Sequence, residues 1–114
     1  METIRKRVVL DFDLEGYHKW ENAIPEVLFL RNEHRHMFQI RVEIEVQDSD
    51  REVEIFIETG RLQDYLMESY GAPCQFEGMS CEHIAEDILQ WGLEDGYKRV
   101  EVYEDGKGGA VVFV

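Results

Sequence analysis

Two histidines one residue apart, His34 and His36, open the stretch of this sequence that is best suited to chemistry. The residues that follow, through Val46, alternate strictly between apolar and polar side chains, which predicts a β-strand. Because side chains in a strand repeat every two residues, both histidines share the apolar face, about 7 Å apart along the strand. Two imidazoles in this position can chelate one metal ion, but His-x-His at a strand end also occurs by accident.

Length and charge exclude several classes of protein. The chain has 114 residues, so we expect a single domain over residues 1–114 with room for a hydrophobic core. It carries 12 Lys and Arg against 25 Asp and Glu, a net charge of −13. No basic cluster is present that would bind a phosphate backbone or an anionic membrane, so we expect neither nucleic-acid nor membrane partners.

The location expected from the sequence is cytoplasmic. The N-terminus lacks the apolar core of a signal peptide. Cys74 and Cys81 form neither a CxxC motif nor a disulfide framework, which favours a reducing compartment.

The remaining patterns predict strands around two helices. Strands are expected at residues 3–14, 35–47, 51–58, 97–104 and 110–114, with a short extended piece at 74–77. Helices are expected from Thr59 to Tyr70, with Thr59 as N-cap, and from Ser80 to about Gly92 or Leu93. Ser80 and His83 form an incomplete capping box at the start of the second helix. The strands over residues 8–12, 38–46, 53–57 and 98–103 are rich enough in apolar residues that both faces of the sheet are expected to need cover. One chain supplies helices for one face only, which predicts oligomerisation.

Four motifs occur along the chain in a fixed order. They are Phe12 to His18, the strand start His34-x-His36, the helix start Ser80-Cys81-Glu82-His83-Ile84-Ala85, and Val100-x-Val102-Tyr103-Glu104 on a late strand. Together they resemble the 6-pyruvoyl-tetrahydropterin synthase and 6-carboxytetrahydropterin synthase family, over about residues 5 to 113. The resemblance implies an α+β tunnelling fold (T-fold), an antiparallel ββααββ sheet with two helices on one face, assembled as a homohexamer or another ring.

The resemblance also implies a zinc site. The family binds zinc through a histidine in its first connection and through both histidines of His-x-His. Here these correspond to His18, His34 and His36. Three imidazoles leave a fourth tetrahedral position open, and zinc in such a site can polarise an oxygen of the substrate.

A ligand pocket follows from the same resemblance. In the family, a glutamate on the late strand accepts hydrogen bonds from the amino group and ring N–H of a pterin, because the two oxygens of a carboxylate can accept both. Glu104 occupies the corresponding position in this sequence. The loop before the second helix, with Ser80 and Glu82, corresponds to a segment that lines this pocket. The only basic residues near the proposed pocket are Lys19, Arg31, Arg35 and Lys107. Of these, we expect Arg31 or Arg35 to contact any anionic part of the ligand.

The chain departs from the family where proton transfer takes place. Family enzymes place a cysteine just before His-x-His, but residues 29–33 contain none. They also carry an Asp-His pair after the third strand, and residues 58–65 contain no histidine. Glu33, Cys81 and His83 are the candidates to replace these groups.

Two functions are therefore expected from the sequence. The first is a zinc-dependent lyase-type enzyme acting on a pterin such as 7,8-dihydroneopterin triphosphate. The second is a non-catalytic T-fold protein that senses, carries or sequesters a pterin or purine-like ligand. A third possibility is a ferredoxin-like interaction module without a metal.

Overall fold

Two long neighbouring strands form the centre of the structure. The computed structural model describes residues 2–114. Strands β1 (Lys6–His18) and β2 (His34–Val46) pair antiparallel along their whole length of 13 residues each. The other strands are β3 (Cys74–Glu77), β4 (Tyr97–Glu104) and β5 (Gly108–Phe113). The sheet order is β3-β1-β2-β4-β5, with β3 parallel to β1 and the other neighbours antiparallel, so the sheet is mixed.

Two α-helices cover one face of this sheet. They are α1 (Ile55–Tyr70) and α2 (Cys81–Gly92), and two short 3₁₀ segments lie at Pro25–Arg31 and Leu93–Asp95. The inward side chains of the strands pack with the buried faces of both helices into one core. Its largest fully buried members include Leu10, Phe38, Ile40, Leu62, Leu66, Phe76, Ile84, Ile88 and Tyr97. The predicted α+β class, with two helices on one face, is confirmed.

The opposite face of the sheet carries charged side chains joined in ion pairs. Glu43 lies 3.2 Å from both Arg7 and Arg99, and Arg41 lies 3.6 Å from Glu101. The expectation that the second face is apolar enough to need cover is therefore wrong, because alternate residues of the strands place ionised groups on it. Burial of that face no longer argues for oligomerisation, and the ring assembly stays a prediction.

The strand predicted at residues 51–58 is also wrong. Residues 49–51 form a turn and residues 52–53 a bend. Helix α1 begins at Ile55 because the Glu54 carboxylate caps it, accepting a hydrogen bond from the Ile57 N–H at 2.8 Å. Thr59, the predicted N-cap, lies inside the helix. The alternation that suggested a strand has no structural counterpart, since Ile55 and Ile57 are 46% and 71% exposed.

The helices are also informative about membranes. Within residues 2–114, neither α-helix combines the length and the apolar character that a membrane crossing requires.

The β4–β5 hairpin gives a test of this packing. Gly109 pairs with Tyr103, and a Cβ at Gly109 would lie 1.9 Å from the Val102 carbonyl oxygen. We expect Gly109→Ala to lower the free energy of unfolding by about 1–3 kcal/mol, the usual cost of overpacking, as measured by urea denaturation. Gly108→Ala is the control, because a Cβ there meets nothing within 4 Å. Equal stability of the two variants would contradict the packing described.

Candidate metal centre

Three histidines and a glutamate meet at the end of the sheet where β1, β2 and β4 lie side by side. The register pairs His18 with His34 across β1 and β2, and Phe38 with Glu104 across β2 and β4. His36 lies between His34 and Phe38 on the same face of β2, because residues two apart share a face. The strands alone therefore bring all four polar side chains together, as the His-x-His spacing predicted for two of them.

His18 lies on a strand, whereas the sequence predicted that it lies in the connection after the first strand. β1 continues to His18, past the predicted end at residue 14, because Gly16 is a strand residue. A Cβ at Gly16 would lie 2.8 Å from the ring of Phe76 and 3.0 Å from that of Phe38. Glycine leaves room for these two packed rings and so allows the strand to pass over them. The imidazole of His18 is thereby fixed on a rigid element.

Each of the three imidazoles is held through its Nδ1 atom. The acceptors are the Met79 carbonyl oxygen for His18 (3.0 Å), the Asn32 carbonyl oxygen for His34 (2.8 Å) and a carboxylate oxygen of Asp105 for His36 (2.7 Å). Carbonyl and ionised carboxylate oxygens only accept hydrogen bonds, so Nδ1 is the donor in all three rings. In the neutral imidazole the lone pair is then on Nε2, which is the form that binds a metal.

The Nε2 atoms converge on the carboxylate of Glu104. All three are buried and have no hydrogen-bond partner within residues 2–114. Oε2 of Glu104 lies 2.9 Å from Nε2 of His18 and 3.1 Å from Nε2 of His36. The possible ligand atoms of His18, His34, His36 and Glu104, together called the metal group below, all lie within 4.8 Å of one another. Tetrahedral zinc with bonds of about 2.0–2.1 Å separates its ligand atoms by about 3.3 Å, so the group has the dimensions of a metal site.

The protonation state of His18 fits this arrangement. Burial lowers the pKa of His18, and the neighbouring rings of His34 and His36 lower it further, whereas the Met79 carbonyl and the Glu104 carboxylate raise it. The net shift is downward and keeps His18 neutral at pH 7. Lone pairs of a neutral imidazole and a carboxylate repel each other at close range, and a cation between them converts this repulsion into attraction.

A cavity of about 740 Å³ opens beside the metal group, a volume suited to a small molecule. His18, His34 and Glu104 line it, and the other lining residues are Lys19, Trp20, Asn22, Leu30, Gly78, Met79, Ser80, Cys81, Glu82, His83, Gly108 and Gly109. Within residues 2–114, Lys19 is the one Lys or Arg that lines this cavity, and it pairs with Glu21 at 3.1 Å.

The predicted ligand-binding residues divide into two groups. Ser80 and Glu82 line the cavity as expected. Arg35 does not, because it is one residue out of phase with the histidines and lies on the opposite face, where it donates a hydrogen bond to Glu15 at 3.0 Å. Arg31 is an exposed residue at the end of its 3₁₀ segment and does not line the cavity either.

Two of the predicted proton-transfer residues are not placed for that role. Glu33 is exposed and lies outside the cavity lining. His83 lines the cavity, but its ring Nδ1 accepts a hydrogen bond from the backbone N–H of Ser80 at 3.2 Å. The backbone N–H of His83 in turn donates to the Ser80 hydroxyl at 3.1 Å. The capping box is therefore complete, contrary to expectation, and the imidazole of His83 serves to begin α2.

The third candidate, Cys81, lines the cavity as a neutral thiol. Burial raises its pKa to about 12, and the charges of Glu104 and Glu82 add to the shift. The position at the start of α2 would favour a thiolate, but burial outweighs it. The surroundings of Cys81 therefore favour the thiol over the thiolate.

Several parts of the site were not predicted from the sequence. Glu104 was expected to hold the ligand, and its carboxylate instead lies against two imidazoles. Met79 and Asn32 contribute backbone carbonyls, for which side-chain patterns give no signal. Asp105 stands before Gly106, and this Asp-Gly pair is typical of a hairpin turn. Its position directly after Glu104 gave no separate signal that it would support a histidine.

Comparison with known proteins gives a fold and no function. No protein-family model matches the sequence, and no curated protein matches it. Among solved structures, the chain is similar to the crystal structure of uncharacterized protein WS1659 from Wolinella succinogenes, with a TM-score of 0.67. The two sequences are 15% identical, and the match covers 97% of this chain and 99% of that chain. At this identity the likeness concerns the fold alone.

Thiol reactivity tests the environment of Cys81. Burial raises the pKa of Cys74 to about 11 and that of Cys81 to about 12, so little thiolate is present at pH 8. We expect both thiols to react with a chromogenic disulfide reagent at least about 100-fold more slowly in the native protein than in the unfolded one. Fast native reaction of one thiol, abolished by Cys81→Ser, would contradict this expectation.

Proposed function

We propose that this chain is a zinc-dependent protein that binds a small pterin-like ligand beside its metal and carries out lyase-type chemistry on it. The observation that carries the proposal is the convergence of three buried Nε2 atoms without partners on one carboxylate at the side of a cavity. A bound cation would satisfy this group of lone pairs.

Zinc is the metal that the donor set favours. Imidazole nitrogen with one carboxylate oxygen suits zinc in tetrahedral geometry, whereas calcium and magnesium prefer sites made of oxygen alone. Structural zinc sites are usually rich in cysteine and closed, and catalytic ones commonly use three protein ligands with a labile fourth position. The side chain of Glu104 is 33% exposed, against 10% for His18 and 19% for His36, so Glu104 would be the more accessible ligand on the cavity side.

The metal and the chain's own residues would divide the work at this site. Zinc supplies a Lewis acid that makes a coordinated oxygen, or a neighbouring C–H, more acidic. His18, His34 and His36 would hold the metal, with each ring fixed through Nδ1. Glu104 lines the cavity beside the histidines and would be the carboxylate that takes a proton from the ligand, since the thiol of Cys81 is neutral.

The pterin class is supported by the four-motif resemblance and by the size of the cavity. The charges of the cavity set a limit on the ligand. Lys19 is paired with Glu21, and Glu82 and Glu104 add negative charge. This favours a weakly charged pterin over a triphosphate in the isolated chain, and we therefore include both kinds of ligand in the test below.

A non-catalytic binding protein is the second candidate. It is favoured by the positions of the three proton-transfer candidates, since Glu33 is exposed, His83 caps a helix and Cys81 is a neutral thiol. In this case the metal and Glu104 would serve to hold a pterin or purine-like ligand for sensing, transport or sequestration.

We propose a T-fold and a ring assembly for the same chain. The two helices on one face of the sheet and the order of the long strands support the fold. The outer strands β3 and β5 support the assembly, because they leave backbone edges for pairing with another copy, and Phe113 of β5 is 68% exposed. The cytoplasm remains the proposed location.

Metal analysis is the first test of the proposal. We expect the purified protein to contain about one zinc ion per chain by plasma mass spectrometry, and the double variant His34→Ala/His36→Ala to contain almost none. His83→Gln is the matched control, because it removes the fourth histidine while glutamine can preserve the capping box. A metal-free protein that takes up no added zinc would refute the proposal.

Incubation with a pterin distinguishes the two candidate functions. The protein would be mixed with 7,8-dihydroneopterin or its triphosphate, and the products separated by chromatography. An enzyme consumes one of them, and Glu104→Gln loses this activity while its histidines retain zinc, since the amide cannot accept the proton. Retention of unchanged ligand in equal proportion to the chain supports the binding protein. Full activity of Glu104→Gln would show that Glu104 is not the proton acceptor.

A further inference from the structure

Asp105, in the turn after β4, joins the metal group to the backbone of β2. Its Oδ2 accepts a hydrogen bond from Nδ1 of His36 at 2.7 Å, and its Oδ1 accepts one from the Met37 N–H at 2.9 Å. We propose that Asp105 is a positioning residue of the metal centre, which fixes both the tautomer and the ring orientation of His36 so that Nε2 faces the metal. This inference rests on the proposed metal site.

The turn holds Asp105 in place independently of its side chain. The Asp105 N–H donates to the Met37 carbonyl oxygen at 2.9 Å, so both backbone groups of Met37 are bonded to the same aspartate. Asp105 has a left-handed backbone (φ 54°), which aspartate tolerates better than most residues, and Gly106 follows with φ 70°. A non-glycine residue persists in this conformation where its surroundings hold it, as they do here.

His36 differs from the other two histidines in the group that supports it. His18 and His34 donate to backbone carbonyls of Met79 and Asn32, which no substitution removes. His36 donates to a carboxylate instead. An ionised acceptor makes the opposite nitrogen a stronger metal ligand, and such supporting carboxylates contribute to metal affinity.

Asparagine at this position would set the two hydrogen bonds of Asp105 against each other. A carboxylate has two accepting oxygens, whereas an amide has one acceptor and one donor group. In Asp105→Asn, if the amide oxygen stays with the Met37 N–H, the NH₂ group faces Nδ1 of His36. That arrangement favours the proton on Nε2, which is the atom that would bind the metal.

Zinc affinity is the first measurement, by competition with a chromophoric chelator. We expect Asp105→Asn to bind zinc roughly 10- to 100-fold more weakly than the unsubstituted protein. Glu52→Gln is the matched control. Glu52 also accepts two backbone N–H bonds in a turn, from Gln47 at 2.9 Å and Asp48 at 2.8 Å, without touching a histidine. It should leave zinc affinity unchanged. Equal affinity of Asp105→Asn and the unsubstituted protein would overturn the inference.

The tautomer of His36 separates a positioning role from a purely structural one. Nitrogen NMR of the side chain should show the Nδ1–H form in the unsubstituted protein and a shift toward Nε2–H in metal-free Asp105→Asn. A lower melting temperature of this variant with unchanged tautomer and zinc affinity would show a structural role only. If the variant does not fold, the unsubstituted protein decides, because an Nε2–H tautomer there overturns the inference.

The two proposals fail in different ways. If the unsubstituted protein binds no zinc, the proposed function is refuted, while the NMR spectrum still shows whether Asp105 selects the tautomer of His36. If zinc binds with equal affinity in both proteins, the metal site stands and the role of Asp105 is refuted.

Discussion

The antiparallel pairing of β1 with β2 is the constraint on which the rest of the structure depends. Its register places His18 opposite His34 and continues for the full length of both strands. A slip of one residue would exchange the two faces of a strand, moving its histidines among the charged residues and exposing Phe38. The extensive apolar core on one face resists such a slip, so the packing energy of the core also secures the geometry of the site.

At one end of this apolar face, buried polar atoms lie close together without hydrogen-bond partners among residues 2–114. Buried nitrogens of three imidazoles and a carboxylate oxygen of Glu104 lie together without donors between them. Burial of unsatisfied polar groups destabilises a fold, and four lone pairs in contact add electrostatic repulsion. A bound cation would remove both costs and thereby stabilise the folded chain.

The sequence by itself determined the features that depend on short-range pattern. Alternation along residues 36–46 gives the central strand, and the shared parity of His34 and His36 gives their common face. The helical spacing after Ser80 gives α2 and its N-cap. In each case the pattern is long or is reinforced by capping chemistry. The alternation at residues 51–58 is shorter, and the strand that it predicted does not form. The capping bond of Glu54 and the burial of residues farther along α1 stabilise a helix there instead.

Only the tertiary structure decided how the site is completed. His18 reaches the metal group because Gly16 lets β1 continue over two aromatic rings, a contact between residues far apart in sequence. Glu104 and Asp105 lie beside the histidines because β4 pairs with β2 in one register, which no local pattern specifies. The neutral state of Cys81 likewise follows from burial by the whole fold. Residue types and their spacing identify possible ligands, whereas the orientation, protonation and partners of these groups depend on strand pairing and exclusion of water.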